Sequence, residues 1–273
     1  MSERHDSGKA PSAAHFDGLP SGKKHRRQDG LVQLLERLGY ASVEQMAELF
    51  DVTTHTVRRD ISELAVAGRI RRYHGGAALS PAIDAVTYRQ RRIDRIEAKR
   101  RIAVRVGQLV RDGSSIFLDA GTTCEAVAEV LAEKSNLKIV TYNLHAATLL
   151  SERSNFTIAI PAGFVRNVDG SVLGDGAVDF IRRFRFDAAI ISVSGIEIDG
   201  RMADDDYNEV SLVRTAIGLS RSVILAADNS KFGQSGLVEL CNLRDVSVLV
   251  TDAAPSAEIR AIIDDGAVDL QLC

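Results

Sequence analysis

Apolar residues near the start of the chain recur at helical spacing in two short runs, at residues 42–50 and 54–66. A polar break at residues 51–53 separates the runs. The repeating apolar positions are Val43, Met46, Ala47, Phe50, Val57, Ile61 and Leu64. Because a spacing of three and four residues gathers side chains on one helix face, the pattern predicts two short helices that share a small core.

The second predicted helix points mainly polar and basic side chains away from that core. These outward residues are Thr54, His55, Thr56, Arg58, Arg59 and Ser62. Hydroxyl, imidazole and guanidinium groups suit contacts to phosphates and base edges. The pattern therefore predicts a helix-turn-helix whose second helix reads DNA. The alternative is an ordinary helix pair with a solvated basic face.

The segments on either side of this helix pair favour DNA binding. Residues 30–38 predict a further amphipathic helix that Gly39 would end, and residues 68–77 predict a basic β-hairpin wing. Candidate DNA contacts on the wing are Arg71, Arg72 and His74. The basic residues 23–27 could touch the DNA backbone or could be solvated. The whole predicts a winged helix-turn-helix domain.

From residue 115 onward, short apolar runs alternate with helical patterns. The predicted strands are residues 115–118, 138–140, 157–160, 188–192, 222–226, 246–250 and 268–272. The predicted helices are residues 125–132, 146–152, 177–182, 208–219 and 257–264. This alternation predicts an α/β domain with a mostly parallel sheet that is covered on both faces.

One long amphipathic helix is predicted between the two parts, at residues 88–111. Its expected inward positions are Ile93, Ile96, Ile102, Val106, Leu109 and Val110. Residues 1–22 are rich in small and polar residues without periodicity, so we expect a disordered tail. The expected organisation is a tail at 1–22, a DNA-binding domain at 23–78, a linker and connecting helix at 79–111 and a sensor domain at 112–273.

Charge supports this division. The formal net charge of the 273 residues is −3, but it is +3 for residues 23–80 and −5 for residues 81–273. A mildly basic DNA-binding part on an acidic body fits a regulator. The three cysteines, at positions 124, 241 and 273, lack metal-ligand spacing, so we expect free thiols in a reducing cytoplasm and neither metal nor cofactor. No apolar run approaches the ~20 residues that span a membrane.

Polar and glycine-bearing turns follow several of the predicted strands. Ligands of open parallel sheets bind beyond the carboxyl ends of the strands. The candidate effector residues there are Asp119, Gly121, Thr122, Thr123, Asn143, Arg166, Ser194, Gly195, Asp228 and Lys231.

Each of these turns has a proposed role. Gly121 and the helix start after it suit an anion, and Arg166 and Lys231 could neutralise a phosphate. Asp119, Asn143 and Asp228 could hold hydroxyl groups. Each turn alone could be an ordinary cap or loop, but together they predict a site for a phosphorylated polyol or sugar.

These motifs together resemble the DeoR family of bacterial sugar-metabolism regulators over residues 26–273. In the first part the match lies in residues 57–60 and 74–77, and in the second it lies in residues 119–123, 141–143, 194–196 and 228–233. The resemblance implies a sensor domain like ribose-5-phosphate isomerase and a repressor that a phosphorylated metabolite releases from operator DNA. Phe164 stands where a second glycine is common in the family.

Further segments, at residues 135–141, 206–210, 251–253 and 270–273, resemble the family members that govern glycerol 3-phosphate metabolism. The resemblance therefore implies glycerol 3-phosphate as the effector. A homo-oligomer, dimer or tetramer, is expected, because one winged domain reads few base pairs. An activator would use the same parts. The alternative from another class is a sugar-phosphate isomerase with an added DNA-binding domain. Since no coupled acid/base pair is evident, we expect no enzymatic activity.

Overall fold

The computed structural model describes residues 23–38, 40–67, 69–73, 76–79, 88 and 90–273. The expected disordered tail, the helix stop at Gly39, the wing residue His74 and the linker residues 80–82 lie outside the described residues. The same is true of the side chains of Arg71 and Arg72, whose backbone is described.

The first part of the chain is a winged helix-turn-helix, as the sequence predicts. Its elements are α1 (Lys23–Leu38), β1 (Tyr40–Ser42), α2 (Val43–Leu49), α3 (Thr54–Val66), β2 (Ile70–Tyr73) and β3 (Gly76–Leu79). Strand β3 pairs antiparallel with β1 and β2, so the wing belongs to a three-stranded sheet. Helix α1 begins at Lys23 rather than at residue 30, so the basic residues 23–27 form its first turns.

Local capping explains where the two helices of the motif begin. Ser42 and Gln45 form a reciprocal capping box at the start of α2. Thr53 Oγ1 accepts a hydrogen bond from the backbone N–H of Thr56 at 3.2 Å and caps α3. The residue between them, Asp51, takes a positive φ of 51° and turns the chain.

The core beneath α3 also contains one ion pair. Val57 and Ile61 are buried as predicted, and Asp60 is buried beside them. The Arg27 Nε lies 2.5 Å from Asp60 Oδ2, and Gln28 Nε2 donates to Asp60 Oδ1 at 3.3 Å. Arg27 therefore ties α1 to α3, a role that neither sequence interpretation of the basic segment foresaw.

The second part contains the α/β domain. Its helices are α4 (Ile96–Leu109), α5 (Thr122–Leu131), α6 (Leu144–Arg153), α7 (Ala177–Ile181), α8 (Tyr207–Gly218) and α9 (Ala257–Asp265). The strands of its main sheet are β4 (Ser115–Leu118), β5 (Lys138–Thr141), β6 (Thr157–Ala159), β9 (Ala188–Ile191), β12 (Val223–Ala226), β14 (Val248–Thr251) and β15 (Asp269–Leu272). Every one of these strands was predicted, within two residues at each end.

The main sheet has the order β15-β14-β12-β9-β4-β5-β6, and every pair in it is parallel. The chain builds outward from β4 in one direction and then, from β9 onward, in the other. This reversal makes a switch point between β4 and β9, where open sheets of this kind bind ligands.

Alternate residues of the central strands enter different cores. Phe117 packs in a cluster with residues of α7, α8 and α9. Its neighbours Ile116 and Leu118 pack in a second cluster with α4, α5 and α6. Because successive side chains of a strand point to opposite faces, the sheet is covered on both faces, as predicted.

Five short strands complete the domain, in antiparallel groups that the sequence pattern did not predict. They are β7 (Phe164–Val165), β8 (Val172–Leu173), β10 (Gly195–Ile196), β11 (Arg201–Asp204) and β13 (Val238–Asn242). Three of them have only two residues, and β11 and β13 mix polar with apolar residues, so none shows the apolar run that predicted the strands of the main sheet.

The connecting helix is not continuous, which corrects the prediction for residues 88–111. Residues 90–93 are helical, but Arg95 takes a left-handed φ of 53° and α4 begins only at Ile96. Ile93 and Ile96 are 62% and 56% exposed, while Ile102 is fully buried. The break changes the helix register, so Ile93 no longer shares a face with the buried positions of α4. Ile96, the first residue of α4, also lies on its solvent side. None of the helices in the described ranges is long and apolar enough to cross a membrane.

Candidate functional site

The switch point is organised by the buried carboxylate of Asp119, which follows β4. Asp119 Oδ1 accepts hydrogen bonds from Tyr142 Oη at 2.6 Å and from the Ala120 N–H at 2.8 Å. Its Oδ2 accepts from the Ser192 N–H at 3.0 Å, across the switch point. Asp119 thus joins the carboxyl ends of β4, β5 and β9, and its carboxylate faces protein donors.

Burial gives Asp119 an unusual proton affinity. Removal from water raises the pKa of the Asp119 carboxyl to about 7, although the hydrogen bonds from Tyr142 and Ser192 act in the opposite direction. The folded protein therefore holds a proton at Asp119 at pH values where the unfolded chain, with a pKa of about 3.9, has released it.

This proton makes the stability of the sensor domain depend on pH. Between the two pKa values the folded state binds more protons than the unfolded state. The stabilisation of the folded state by protonated Asp119 is therefore fully present below about pH 4 and is lost as pH rises through about 7. We expect Asp119→Asn to gain stability relative to the wild type, by at most about 3 kcal/mol, between about pH 5 and about pH 8. Urea unfolding of both proteins at the two pH values measures this gain. A constant difference would contradict a protonated carboxyl.

The turn after Asp119 has the geometry of an anion cradle. Gly121 takes φ 104° and ψ 162°, a conformation that is essentially restricted to glycine. The first backbone hydrogen bond of α5 runs from the Glu125 N–H to the Gly121 carbonyl at 3.0 Å. The N–H groups of Thr122, Thr123 and Cys124 precede this bond and have no acceptor within the helix. A helix start with free N–H groups and no side-chain cap attracts anions.

Asn143 supplies a free donor at the next strand end. Its Oδ1 accepts hydrogen bonds from the N–H groups of His145 at 3.0 Å and Ala146 at 3.1 Å, so it caps α6. The residue is fully buried, and its Nδ2 has no hydrogen-bond partner among the described residues. Since an unpaired buried donor is costly, this group can be satisfied by a bound molecule.

Ser194 and Gly195 lie just beyond β9 and shape the backbone there. Ser194 Oγ donates to Asp204 Oδ1 at 2.6 Å. A Cβ atom at Gly195 would lie 2.5 Å from the carbonyl oxygen of Gln234, so only glycine allows these two backbone segments to approach so closely.

Lys231 and Asp228 follow β12. Asp228 is buried and caps a short 3-10 turn through the Ser230 N–H at 3.0 Å. The Lys231 ammonium group makes no hydrogen bond or ion pair within the described part of the chain. Burial lowers the pKa of Lys231, while Asp228 partly restores it. A half-buried ammonium without a bound carboxylate is available to neutralise an anion.

Lys99 adds a second buried ammonium group in this neighbourhood. Its Nζ donates to the carbonyl oxygens of Arg91 and, at 2.9 Å, Asp94, across the break before α4. Burial lowers the pKa of Lys99, and the charge of Asp228 offsets only part of that shift. The sequence pattern had assigned no role to Lys99.

Arg166, the other predicted phosphate partner, is occupied by carboxylates. Its guanidinium donates to Asp169 at 2.9 Å and to Asp206 at 3.1 Å, and it also contacts Glu209. Burial would lower the pKa of Arg166, but these carboxylates raise it overall. Burial also raises the pKa of Glu209 to about 8, because Arg166 offsets only part of that cost. The contacts of Arg166 therefore connect the turn after β7 with the start of α8.

Helix α3 presents the predicted DNA-reading side chains. His55, Arg58 and Arg59 are exposed, and Thr54 is half-buried. The hydroxyl of Thr56 shares a hydrogen bond of 3.0 Å with that of Thr53, so it also helps to cap the helix.

The two arginines of α3 remain free to move. Arg58 lies 4.0 Å from Glu44, and Arg59 lies 3.4 Å from Glu63, with the arginine side chains 62% and 73% exposed. Exposed pairs of this kind are weak and are readily exchanged for DNA phosphates or bases. Arg71 lies on β2, and Arg72 follows it on the same strand.

Sequence patterns missed the residues that act through distant partners. These are Tyr88, Lys99, Glu125, Tyr142, Asp169, Ser192, Asp206 and Glu209 as members of the site or its surroundings. Tyr142 and Ser192 had a local signal, since Tyr142 lies two residues after the predicted strand 138–140 and Ser192 ends the predicted strand 188–192. Asp206 and Glu209 had none, because they lie 40 and 43 residues from Arg166 along the chain.

Two families match the chain. The family described as the DeoR-like helix-turn-helix domain matches residues 27–81, and the DeoR C terminal sensor domain matches residues 94–253. The second match extends further toward the N-terminus than the sensor domain expected from the sequence, and it includes α4.

Individual relatives agree with these matches. The chain is 39% identical over 251 residues to the glycerol-3-phosphate regulon repressor of Escherichia coli (strain K12), covering 92% of this chain and 100% of the relative. It is 40% identical over 238 residues to the repressor of the same name from Haemophilus influenzae, covering 87% and 93%. Among solved structures, ribose 5-phosphate isomerase A from Methanocaldococcus jannaschii aligns with 49% of this chain and 53% of its own, at 14% identity and a TM-score of 0.37.

Proposed function

The chain belongs to the DeoR family of transcriptional repressors, and we propose that glycerol 3-phosphate, or failing that another small phosphorylated polyol or sugar, is the effector that releases it from operator DNA. The names of the relatives support the effector, since the two described above, at 39% and 40% identity, are repressors of a glycerol-3-phosphate regulon. We expect DNA to be bound through Thr54, His55, Thr56, Arg58 and Arg59, with the wing alongside.

One observation carries the effector proposal: a glycine-restricted helix start with free N–H groups lies at the switch point of the sheet. The phosphate is proposed to lie against Gly121, Thr122 and Thr123. Strands β4 and β12 both flank β9, so their ends lie about 10 Å apart and Lys231 can approach the same anion. The orphan amide of Asn143 is the best-placed donor for the hydroxyl end.

The experiment that tests this function is an operator-binding titration with a panel of phosphorylated metabolites and their unphosphorylated counterparts. Glycerol 3-phosphate is expected to weaken operator binding, and glycerol is expected to have no effect. Equal effects of the two compounds would exclude the anion site. A turnover assay on the same sugar phosphates tests the isomerase alternative, for which a measurable rate would be required.

A symmetric oligomer is part of the proposal. A single winged domain reads few base pairs, so two or more are needed on repeated half-sites. The body also exposes large apolar side chains suited to assembly, with Phe164 86% and Tyr207 70% exposed. Sedimentation is expected to show a dimer or tetramer at micromolar concentration, both free and on DNA. A stable monomer in both conditions would contradict this prediction.

A further inference from the structure

The short segment before α4 is attached to the helix that begins at the anion cradle. Tyr88 is only 4% exposed, and its hydroxyl donates a hydrogen bond to Glu125 Oε1. Arg92 Nε lies 3.0 Å from the other oxygen, Glu125 Oε2. Both oxygens of one buried carboxylate on α5 therefore hold the segment that leads, along the chain, from the DNA-binding part into the sensor.

A second attachment joins the same segment to the turn that carries Lys231. The Arg95 Nε lies 3.6 Å from Asp228 Oδ1, and the Arg95 guanidinium also donates to Asn229 Oδ1. Arg95 is the residue with the left-handed backbone that interrupts the connecting helix. The segment thus contacts α5, which begins at the proposed phosphate site, and the turn after β12, which carries Lys231.

Glu125 is close to the place proposed for the phosphate. It lies four residues after Gly121, which is about one helical turn. In the protein without effector, its negative charge is favoured there by the helix start and by Arg92. A phosphate at the same helix start would bring a second negative charge within one turn of it, and like charges at this distance repel.

We propose that Glu125 is the positioning residue that passes effector binding to the DNA-binding part, since its carboxylate holds Tyr88 and Arg92 in the free protein and is repelled by the effector phosphate. This proposal rests on the phosphate site of the proposed function. When the phosphate arrives, Arg92 is drawn from Glu125 toward the new anion, and the bond to Tyr88 weakens. The segment is then released from α5, and operator binding weakens with it.

The charge of Glu125 can be removed without changing its shape. Glu125→Gln keeps an acceptor for Tyr88 but loses both the repulsion and the ion pair with Arg92. Its operator affinity without effector is therefore expected to fall, while glycerol 3-phosphate is expected to bind and to cause no further release. Glu129→Gln is the matched control, because Glu129 lies one turn further along α5 and is exposed. Operator affinity with and without glycerol 3-phosphate, and calorimetry of its binding, are measured for wild type and both variants.

Breaking the attachment itself is expected to imitate the effector. Tyr88→Phe removes one buried hydrogen bond to a carboxylate, so operator affinity without effector falls about tenfold. By linkage, affinity for glycerol 3-phosphate rises by up to the same factor. A merely destabilised protein would lose affinity for both ligands. Ser135→Ala is the control, because it removes an exposed hydroxyl group just before β5, at the end of the sheet opposite the proposed effector site.

The outcomes distinguish a failure of the effector site from a failure of the role of Glu125. If the wild type neither binds glycerol 3-phosphate nor is released by it, the proposed effector function fails. If the wild type is released and Glu125→Gln is released equally well, the role of Glu125 is overturned. Unchanged operator and effector affinities in Tyr88→Phe would overturn it as well. The role is supported if Glu125→Gln, and not its control, binds glycerol 3-phosphate but is not released from the operator by it.

Discussion

Lys231→Ala is expected to bind its operator like the wild type and to remain bound when glycerol 3-phosphate is added. Removing one charged hydrogen bond to the phosphate costs about 1.5–3 kcal/mol, so effector affinity is expected to fall about tenfold to 150-fold. Binding is coupled reciprocally: a tenfold effect of effector on operator affinity corresponds to about 1.4 kcal/mol and acts equally in the other direction. Calorimetry and operator titration measure the two sides.

The variant is expected to fold, because burial already lowers the pKa of Lys231 and the loss of its charge relieves that cost. Lys138→Ala is the matched control: this exposed lysine begins β5 and so lies at the amino ends of the parallel strands, opposite the proposed effector site. Lys231→Arg, which keeps the charge, should recover part of the response. Unaltered effector affinity in Lys231→Ala would exclude Lys231 from the site.

Arg59→Ala is expected to have the largest effect on DNA binding. If the guanidinium contacts a base edge, affinity for the operator falls by about 1–3 kcal/mol, or roughly fivefold to 150-fold. The preference for the contacted base pair is then also reduced. If it contacts phosphate alone, affinity falls equally on all sequences and the salt dependence becomes shallower. Titrations of operator and unrelated DNA at several salt concentrations distinguish these cases.

The fold should tolerate this change, since the Arg59 side chain is 73% exposed and its pair with Glu63 contributes little. Arg221→Ala in the sensor domain, where the side chain is 85% exposed, controls for the general loss of one positive charge. Operator affinity equal to that of the wild type would remove α3 from the reading surface.

Local patterns were sufficient for most secondary structure. Apolar spacing predicted α2 and α3, and short β-branched runs predicted each strand of the main sheet. The family resemblance of the motifs was confirmed by the matches to both DeoR domains. These features could be predicted because helix periodicity and capping involve residues within a few positions of each other.

The connecting helix shows where local spacing misleads. Its apolar positions suit one continuous helix, yet the chain breaks at Arg95, where the side chain reaches Asp228 and Asn229 more than 130 residues away. A left-handed arginine is locally unfavourable and needs such long-range contacts to persist. The exposure of Ile93 follows from this tertiary contact.

The sequence alone thus determined the two domains, the parallel sheet and the strand ends that carry polar residues, because each depends on local hydrophobic periodicity and turn chemistry. Only the tertiary structure decided which strand ends meet. Insertion of β9 beside β4 brings Ser192 to Asp119, and folding of α8 against the β7 turn occupies Arg166 with Asp206 and Glu209. These partners lie 40 to 73 residues apart. Burial shifts the pKa values of Asp119 and Lys231, and this burial depends on the same long-range packing.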